Sequence, residues 1–335
     1  MGRYMARRLL QFIPVVIGTM FLLHYITTLG IQFNGDPIRA LFGDQRPPDS
    51  VLNAMRARYG LDNPCLQQKG NPCIGIFIDR LGQYFQGDFG QSLKLGNRPV
   101  TDLVAERAPI TLRLTTIAIL FETTIGITIG VLAALRKDKF VDNTVRIVTT
   151  LLISTPIFVF GVLVQVFGAL ALRQWLQGHG APTWLSDMFS PVYIPTSPWL
   201  SLVVPGIVLG AVSLASIARL TRTSLIENLR ADYVRTARAK GLTPRRTVGI
   251  HALRNSLIPV VTYIGIDIGT LMAGALITET IFSIPGIGQL VYLAVLAQDA
   301  VVVIGVTTLL VLVFLVANLI VDVLYAVLDP RIRYD

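Results

Sequence analysis

Residues 232–259 read DYVRTARAKGLTPRRTVGIHALRNSLIP, and they separate two long apolar runs, about Leu200–Ala218 and about Leu257–Ile277. The segment carries six Lys and Arg residues and one Asp. An apolar run of about 20 residues is long enough to cross a bilayer as an α-helix. A concentrated basic segment between two such helices is typical of a loop on the cytoplasmic side of a membrane.

The composition of the whole chain is that of an all-α integral membrane protein in contact with lipid. Its 335 residues are 53% hydrophobic and 15% charged, whereas about 25% of residues are charged in soluble domains. The formal net charge of +9 invites a nucleic-acid interpretation. Basic cytoplasmic loops explain the same charge, so we expect no nucleic-acid partner.

Six membrane spans are predicted from the apolar runs. The first has basic flanks like a signal peptide, but its apolar part is too long for one, which favours a retained helix. The predicted spans are about Leu9–Leu29, Leu112–Leu135, Ile147–Leu172, Leu200–Ala218, Leu257–Ile277 and Val301–Val321.

The distribution of Lys and Arg predicts that both termini are cytoplasmic. With this orientation, 18 of the 29 basic residues fall in short cytoplasmic pieces. These are Arg3, Arg7, Arg8, Arg136, Lys137, Lys139, Arg146, nine residues from Arg219 to Arg254, Arg331 and Arg333. Most of the others lie in one long outside segment, which counts little in the rule.

An uncharged stretch at 281–298, IFSIPGIGQLVYLAVLAQ, could be a seventh span. Its PGIG sequence at 285–288 would break a helix near the start. A seventh span would also place the C-terminal Arg residues outside. We therefore expect a loop and a short helix that dips partly into the membrane, with the seventh span as the alternative.

The outside segment 31–111 is predicted to be a small helical domain with helices in GDPIRALFG and PPDSVLNAMRARYGLDNP. Within NPCLQQKGNPC, Cys65 and Cys73 each follow Asn-Pro, which favours turns that bring the chain ends together. We expect a disulfide between them, with free thiols as the alternative, because disulfides persist outside the cytoplasm. No nearby His or Cys completes a zinc site.

Motifs for catalysis are absent from the chain. There is no Gly-rich phosphate-binding loop, no metal-binding His pair and no nucleophile elbow. We therefore expect no catalytic residue, metal or cofactor in this chain, and any ATP must be bound by another subunit.

The basic segment itself is predicted to be a helix, a Gly turn and a second helix. Gly241 suits the end of the first helix, and Thr243-Pro244 suits the start of the second. Three interpretations compete: a solvated basic loop, a DNA-binding helix-turn-helix, and a docking element for a cytoplasmic partner. Tethering to the bilayer at both ends disfavours DNA binding, whereas Arg side chains suit pairing with carboxylates.

DYVRTARAKGL followed by HALRNSLIP resembles the coupling motif of ABC importer permeases, specifically the B-type subunit of the dipeptide/oligopeptide/nickel family. The resemblance covers nearly the whole chain, through GDPIRALFG, GDFGQSL, RPVTDLVAERAPITLRL, ETIFSIPGIGQLVYLAV and DVLYAVLDPRIRY. NPCLQQKGNPCIG departs from it as an insertion. Arg235-Thr236-Ala237 stand where the general motif has Glu-Ala-Ala, so a contact specific to Glu cannot be carried over.

This resemblance implies an ABC type I importer permease fold in a bacterial plasma membrane. The implied partners are a second, C-type permease, two ATPase subunits that hold ATP and Mg, an extracytoplasmic substrate-binding protein and a peptide. The implied ATPase-coupling residues are Asp232, Tyr233, Arg235, Thr236, Ala237, Arg238, Ala239 and Gly241. The implied residues of the extracytoplasmic gate are Glu279, Phe282, Pro285, Gly286 and Gly288.

Ionisable residues inside the predicted spans are candidates for function. Glu122 and Asp267 are predicted either to line the translocation path or to make a bond between helices. His24 is expected to be a packed polar residue, and Asp322 is expected to pair with a cytoplasmic Arg.

The predicted organisation is a first span with its cytoplasmic tip (1–30), the outside domain (31–111), a five-helix core (112–326) and a cytoplasmic tail (327–335). The core contains the coupling segment at 232–254 and the gate loop at 279–299. The predicted function is peptide import. Alternatives are import of nickel or an oligosaccharide by the same architecture, or a secondary transporter that works alone, which the absence of an inverted repeat disfavours.

Overall fold

The computed structural model describes residues 2–35, 38–39, 47–58, 61–92 and 94–328. Over these residues the regular secondary structure is helical, apart from one isolated bridge between Gln91 and Pro99. The all-α prediction is therefore confirmed. The helix predicted in GDPIRALFG falls mostly outside the described residues. The same is true of the tail from residue 329, with Arg331 and Arg333, and of the side chain of Asp322.

Fifteen α-helices are named here in chain order, all within the described ranges. They are α1 Gly2–Asn34, α2 Asp49–Arg58, α3 Ile74–Phe85, α4 Val100–Leu135, α5 Phe140–Ser154, α6 Ile157–Leu163, α7 Ala171–Gly178, α8 Thr183–Met188, α9 Val203–Leu229, α10 Asp232–Ala239, α11 Pro244–Arg246, α12 Leu253–Ser256, α13 Ile258–Ile281, α14 Ile287–Leu296 and α15 Ala300–Leu328. Two π-helical stretches, Val164–Leu170 and Thr247–Ala252, join α6 to α7 and α11 to α12.

In the described part of the chain, five helical segments are long and apolar enough to cross a membrane, and α13 makes a sixth if its two bent halves count as one. Its halves, Ile258–Leu271 and Ala275–Ile281, meet at 53°. The six predicted spans therefore each have a counterpart. Helix α14 has only ten residues, about 15 Å at 1.5 Å per residue, so it is too short to cross.

The third predicted span, Ile147–Leu172, was wrong as a single helix. The structure ends α5 at Ser154 and begins α6 at Ile157. Pro156 lacks a backbone N–H and disfavours helical geometry at the residue before it. Thr155 is accordingly extended, with φ −89° and ψ 123°. The apolar helix of spanning length is Ile157–Gly178.

The chain divides into two compact units, which are described separately. Unit one contains the described residues up to Ala108 together with Leu290–Val316, and unit two contains Pro109–Gln289 with the described residues from Ala317 onward.

In unit one the predicted disulfide between Cys65 and Cys73 is present, with sulfur atoms 2.03 Å apart. The loop that it closes is attached to α1. The Gln32 side chain bonds Gly70 N–H at 2.8 Å and the carbonyl of Asn71 at 2.9 Å. His24 is buried, as expected, and its Nε2 lies 3.1 Å from the carbonyl of Pro72.

Unit two is built around α9. In the most apolar window of the segment Leu200–Leu229, 72% of the residues are buried, against 11% to 33% in the other four segments of spanning length. Small residues let α4 approach closely: a Cβ at Gly210 would lie 2.8 Å from the Ala118 carbonyl oxygen, and one at Gly130 2.6 Å from that of Ala218. Such contacts are typical of helices that pack within a membrane.

Candidate functional site

The coupling segment, residues 232–254, begins directly after α9 and has the predicted order of helix, Gly turn and helix. Helix α10 presents only Val234 and Ala237 to the interior. Val234 belongs to an apolar cluster with Ala134, Leu225 and Ala252. Ala237, although predicted among the coupling residues, therefore faces the chain's own core and anchors the segment.

The rest of α10 is displayed on the surface. The other predicted coupling residues are all exposed: Asp232, Tyr233, Arg235, Thr236, Arg238, Ala239 and Gly241. The Tyr233 hydroxyl donates to the side-chain oxygen of Asn228 near the end of α9. Arg235 lies 3.3 Å from Asp232, and both side chains are well exposed. Guanidinium groups held so loosely remain available to the carboxylates of another protein.

Gly241 ends this surface helix. Its φ is +77° and its N–H donates to the carbonyl of Arg238 at 2.9 Å, as in a left-handed helix cap. No atom lies within 4 Å of where its Cβ would be. The second half of the segment begins after Thr243 with Pro244 at the first helical position. Its Ala252 is buried in the same cluster as Val234.

An ion pair that the sequence analysis missed lies in unit two, about two helical turns before the end of α9. Asp142 at the start of α5 accepts two bonds from Arg222 of α9, at 2.5 Å and 2.7 Å. The Asp142 side chain is fully buried, and it also accepts the N–H of Asp138 at 2.9 Å. The hydrogen bond from Arg222 holds the pKa of the Asp142 carboxyl below its ordinary value. The pair therefore fixes α5 to the end of α9 that carries the coupling segment.

The gate segment, residues 279–289, is buried where the coupling segment is exposed. The Glu279 carboxylate accepts the hydroxyl of Thr111 at 2.6 Å and the N–H of Gln289 at 2.9 Å. The Thr111 hydroxyl in turn accepts the N–H of Ile287 at 2.9 Å. These two N–H groups belong to the first turn of α14, which has no helical partner for them. Glu279 and Thr111 therefore cap α14, and the carboxylate suits the positive end of the helix.

The gate segment has no space for a side chain at either of its two glycines. A Cβ at Gly286 would lie 2.2 Å from a Glu279 carboxylate oxygen, and one at Gly288 would lie 2.3 Å from Cα of Leu276. Phe282 is fully buried in the main apolar cluster of unit two, and Pro285 is half-buried. The five predicted gate residues therefore lie in one tightly packed turn. Thr111, which completes this turn, carried no signal in the sequence.

The structure brings Glu122 of α4 and Asp267 of α13 within interaction range of each other. Glu122 is 0% exposed and Asp267 is 7% exposed. Asp267 accepts the Thr270 hydroxyl at 2.7 Å, whereas neither carboxylate oxygen of Glu122 has a hydrogen-bond partner. Over the described ranges no three His, Cys, Asp or Glu residues form a cluster fit for a metal ion.

A family model described as "Binding-protein-dependent transport system inner membrane component" matches residues 126–334, which is more than half of the chain. The chain belongs to this family. The match includes both the coupling segment and the gate segment. This membrane permease is therefore a transport subunit of an ABC importer, and its family resides in the inner membrane.

Curated relatives align with the permease from end to end. It is 38% identical over 345 aligned positions to the "Di/tripeptide transport system permease protein DppB" of Pseudomonas aeruginosa, with 99% of each chain covered. It is 36% identical over 356 positions to the "Dipeptide transport system permease protein DppB" of Escherichia coli strain K12, covering 100% of this chain and 99% of the relative. The resemblance to B-type permeases is therefore confirmed.

One solved structure shares the fold. It is described as "Inward facing conformations of the MetNI methionine ABC transporter: CY5 native crystal form". The TM-score is 0.51 at 20% identity, over 68% of this chain and 97% of that one. Together with the family match, it confirms the predicted fold of a type I importer permease.

Proposed function

We propose that this permease forms, with a second homologous permease of the C-type, the pathway through which an ATP-driven importer moves di- and oligopeptides. The observation that carries the peptide assignment is end-to-end similarity to two permeases named for dipeptide and di/tripeptide transport. The chain itself then has no catalytic residue. ATP and Mg bind to two partner ATPase subunits, because the sequence has no phosphate-binding loop of its own.

The coupling segment is the docking element for an ATPase subunit. Its support is the contrast within α10: two inward residues hold the helix, and the remaining side chains face outward. Closure of the ATPases would move α10 as a body, since Val234 is packed against the end of α9. The motion would then reach α5 through Arg222 and Asp142.

The coupling segment and both termini lie in the cytoplasm in this proposal, because short basic loops stay on that side. The gate segment then lies at the opposite face, where a substrate-binding protein delivers the peptide. Its buried cap makes it a rigid piece that can open only by moving with α4, which carries Thr111, and α13, which carries Glu279. Glu122 and Asp267, the candidates for the translocation path, lie on the same two helices.

Uptake into vesicles that contain the assembled importer tests this function. Labelled di- and oligopeptides are offered to the unsubstituted importer, to Arg235→Glu and to Gly241→Trp, with ATP and without it. Lys139→Glu is the matched control, since Lys139 is also exposed and basic but lies outside the coupling segment. We expect ATP-dependent peptide uptake that collapses in the two coupling variants and persists in the control, with all complexes assembled.

Three results would overturn parts of the proposal. Uptake of nickel or an oligosaccharide, but of no peptide, would keep the architecture and replace the substrate. Uptake by this chain without any ATPase subunit would indicate a secondary transporter. Peptide uptake that is indifferent to Arg235→Glu and Gly241→Trp would reduce the coupling segment to a solvated basic loop.

A further inference from the structure

Helix α3 in unit one, Ile74–Phe85, carries an apolar ridge that nothing in the described structure covers. Ile74, Ile78 and Phe85 are 55%, 60% and 79% exposed. At 3.6 residues per turn, their positions fall within about 40° of one another around the helix. Asp79 and Gln83 are also exposed, but they lie on the opposite side.

The polar side of α3 has a different neighbour from the ridge. Asp79, Arg80 and Gln83 line an open cavity of about 660 Å³. Asp62, Asp88 and Gln91 contribute further polar side chains to its lining. The helix therefore has a polar side and an apolar side, which is the pattern of helices that lie in a membrane interface.

A third face of α3 packs against α1, and this contact fixes the position of α3 along the length of α1. The Phe77 ring packs against Phe21 with 5.2 Å between centroids and against His24 with 5.5 Å. Both partners lie inside the apolar span Leu10–Phe33. They precede its end by 9 to 12 residues, or about 14–18 Å along a helix. The 24 residues of this span are about 36 Å long. The hydrocarbon core of a bilayer is about 30 Å thick, so a centred span places Phe77 about 10–15 Å below the hydrocarbon boundary.

We propose that α3 lies within the membrane leaflet at the C-terminal end of α1, with Ile74, Ile78 and Phe85 in contact with lipid acyl chains. Lipid is the occupant that the depth favours, because α1 exposes Leu22 and Ile26 next to the residues that hold Phe77. The loop closed by Cys65 and Cys73 then turns the chain back along α1. The segment between the first two spans, predicted to lie wholly outside, therefore returns one helix to the bilayer.

Spin labelling tests the position of the ridge in the complete importer. The only two Cys residues of the chain form the disulfide, so an introduced Cys is its one free thiol. Ile78→Cys and the matched Gln83→Cys are labelled in separate complexes and reconstituted into phosphatidylethanolamine and phosphatidylglycerol vesicles. The unsubstituted complex, treated in parallel, supplies the background from partner subunits.

Collisions of each label with oxygen, which concentrates in lipid, are compared with collisions with a water-soluble nickel chelate. We expect oxygen to dominate severalfold at position 78 and the chelate to dominate at position 83. Free access of the chelate to position 78 would place the ridge in water and overturn the proposal. Exclusion of both reagents from position 78 would show a protein partner there and would overturn it too. Phe85→Cys repeats the measurement if Ile78→Cys does not assemble.

Discussion

The coupling segment and the gate segment of unit two each contain a short helix next to a turn with glycine, yet their surroundings are opposite. Helix α10 is held by two small apolar side chains and displays the rest, and its turn glycine has open space around it. Helix α14 starts from a turn in which Phe282, Ile284, Gly286 and Gly288 are all buried. Gly241 is needed because its backbone is left-handed, whereas Gly286 and Gly288 are needed because a Cβ would not fit there.

The difference between the exposed α10 and the buried turn before α14 fits two different roles in a transport cycle. A surface that receives force from a partner needs a firm attachment and free side chains, which α10 has. If the gate segment has its proposed role as a barrier, it needs a unique closed packing, which a carboxylate that caps a helix and fills a crowded turn can provide. Substitutions should therefore uncouple transport in the first region and prevent folding or closure in the second.

The largest effect is expected from Gly288→Ala. Its Cβ would overlap the backbone of Leu276, which cannot give way as a flexible side chain could. We expect no assembled, transport-active complex, as judged by size-exclusion chromatography and uptake. The matched variant Gly241→Ala meets open space and strains only a left-handed residue, at a cost of about 1–2 kcal/mol. If the two variants assemble equally well, the contrast between the regions is wrong.

The next effect is expected at the ion pair behind the coupling segment. Removal of one partner of a buried pair costs about 3–5 kcal/mol, so Asp142→Asn and Arg222→Met should each lower the Tm of the purified complex. The double variant should recover part of the loss, because it leaves no charge unpaired. Since the folded-state pKa of Asp142 is lowered, the pair stabilises the protein above the ordinary carboxyl pKa. That contribution is lost as the pH falls through the folded-state value. Additive losses in the double variant would speak against the pair.

A smaller effect is expected from Thr111→Val. The substitution removes the hydroxyl that joins Glu279 to Ile287 N–H and leaves both buried groups one bond short, at about 1–3 kcal/mol. We expect a lower Tm and leakage of peptide through the vesicle membrane without ATP. Thr111→Ser keeps the hydroxyl and should behave like the parent. A tight, stable Thr111→Val complex would show that the cap does not hold the gate.

The smallest effect on stability is expected from Arg238→Ala on the exposed face of α10. No described contact of its side chain is lost, so the Tm should not change. The ratio of peptide transported to ATP hydrolysed should fall, because the segment loses a group available to the ATPase. An unchanged ratio would mean that Arg238 faces only solvent, and would leave the docking role to Arg235 and its neighbours.

Elements set by local chemistry could be predicted from the sequence. Apolar length located the spans, and PGIG at 285–288 predicted the turn before α14. Gly241 predicted the end of α10. Pro156 was an equally local signal inside the third predicted span, and its effect on Thr155 explains why that span starts later than predicted.

Contacts between distant helices could not be predicted. Asp142 and Arg222 are 80 residues apart, and Thr111 and Glu279 are 168 apart. Helical periodicity shows which side chains share a face of one helix, but it does not show which faces meet. Glu122 and Asp267 were recognised separately as buried acids, yet nothing in the sequence indicated that they lie together.

Unit one is built from two stretches of the chain that lie far apart in the sequence, and this affects when it can fold during translation. Its disulfide loop can attach to α1 early, since Gln32, His24 and both Cys residues lie within the first 73 residues. Other contacts of unit one form only after residues 290–316 have been made. The Ser92 hydroxyl donates to the Asp299 carboxylate at 2.6 Å, and Gly305 packs so closely that its Cβ would lie 2.6 Å from the Phe89 carbonyl oxygen. Chains emerge from the ribosome in order, so unit one, although begun first, cannot be completed until residues 290–316 have been made. A chain that ends before residue 290 therefore lacks the partners of Ser92 and Phe89, and unit one stays incomplete in it.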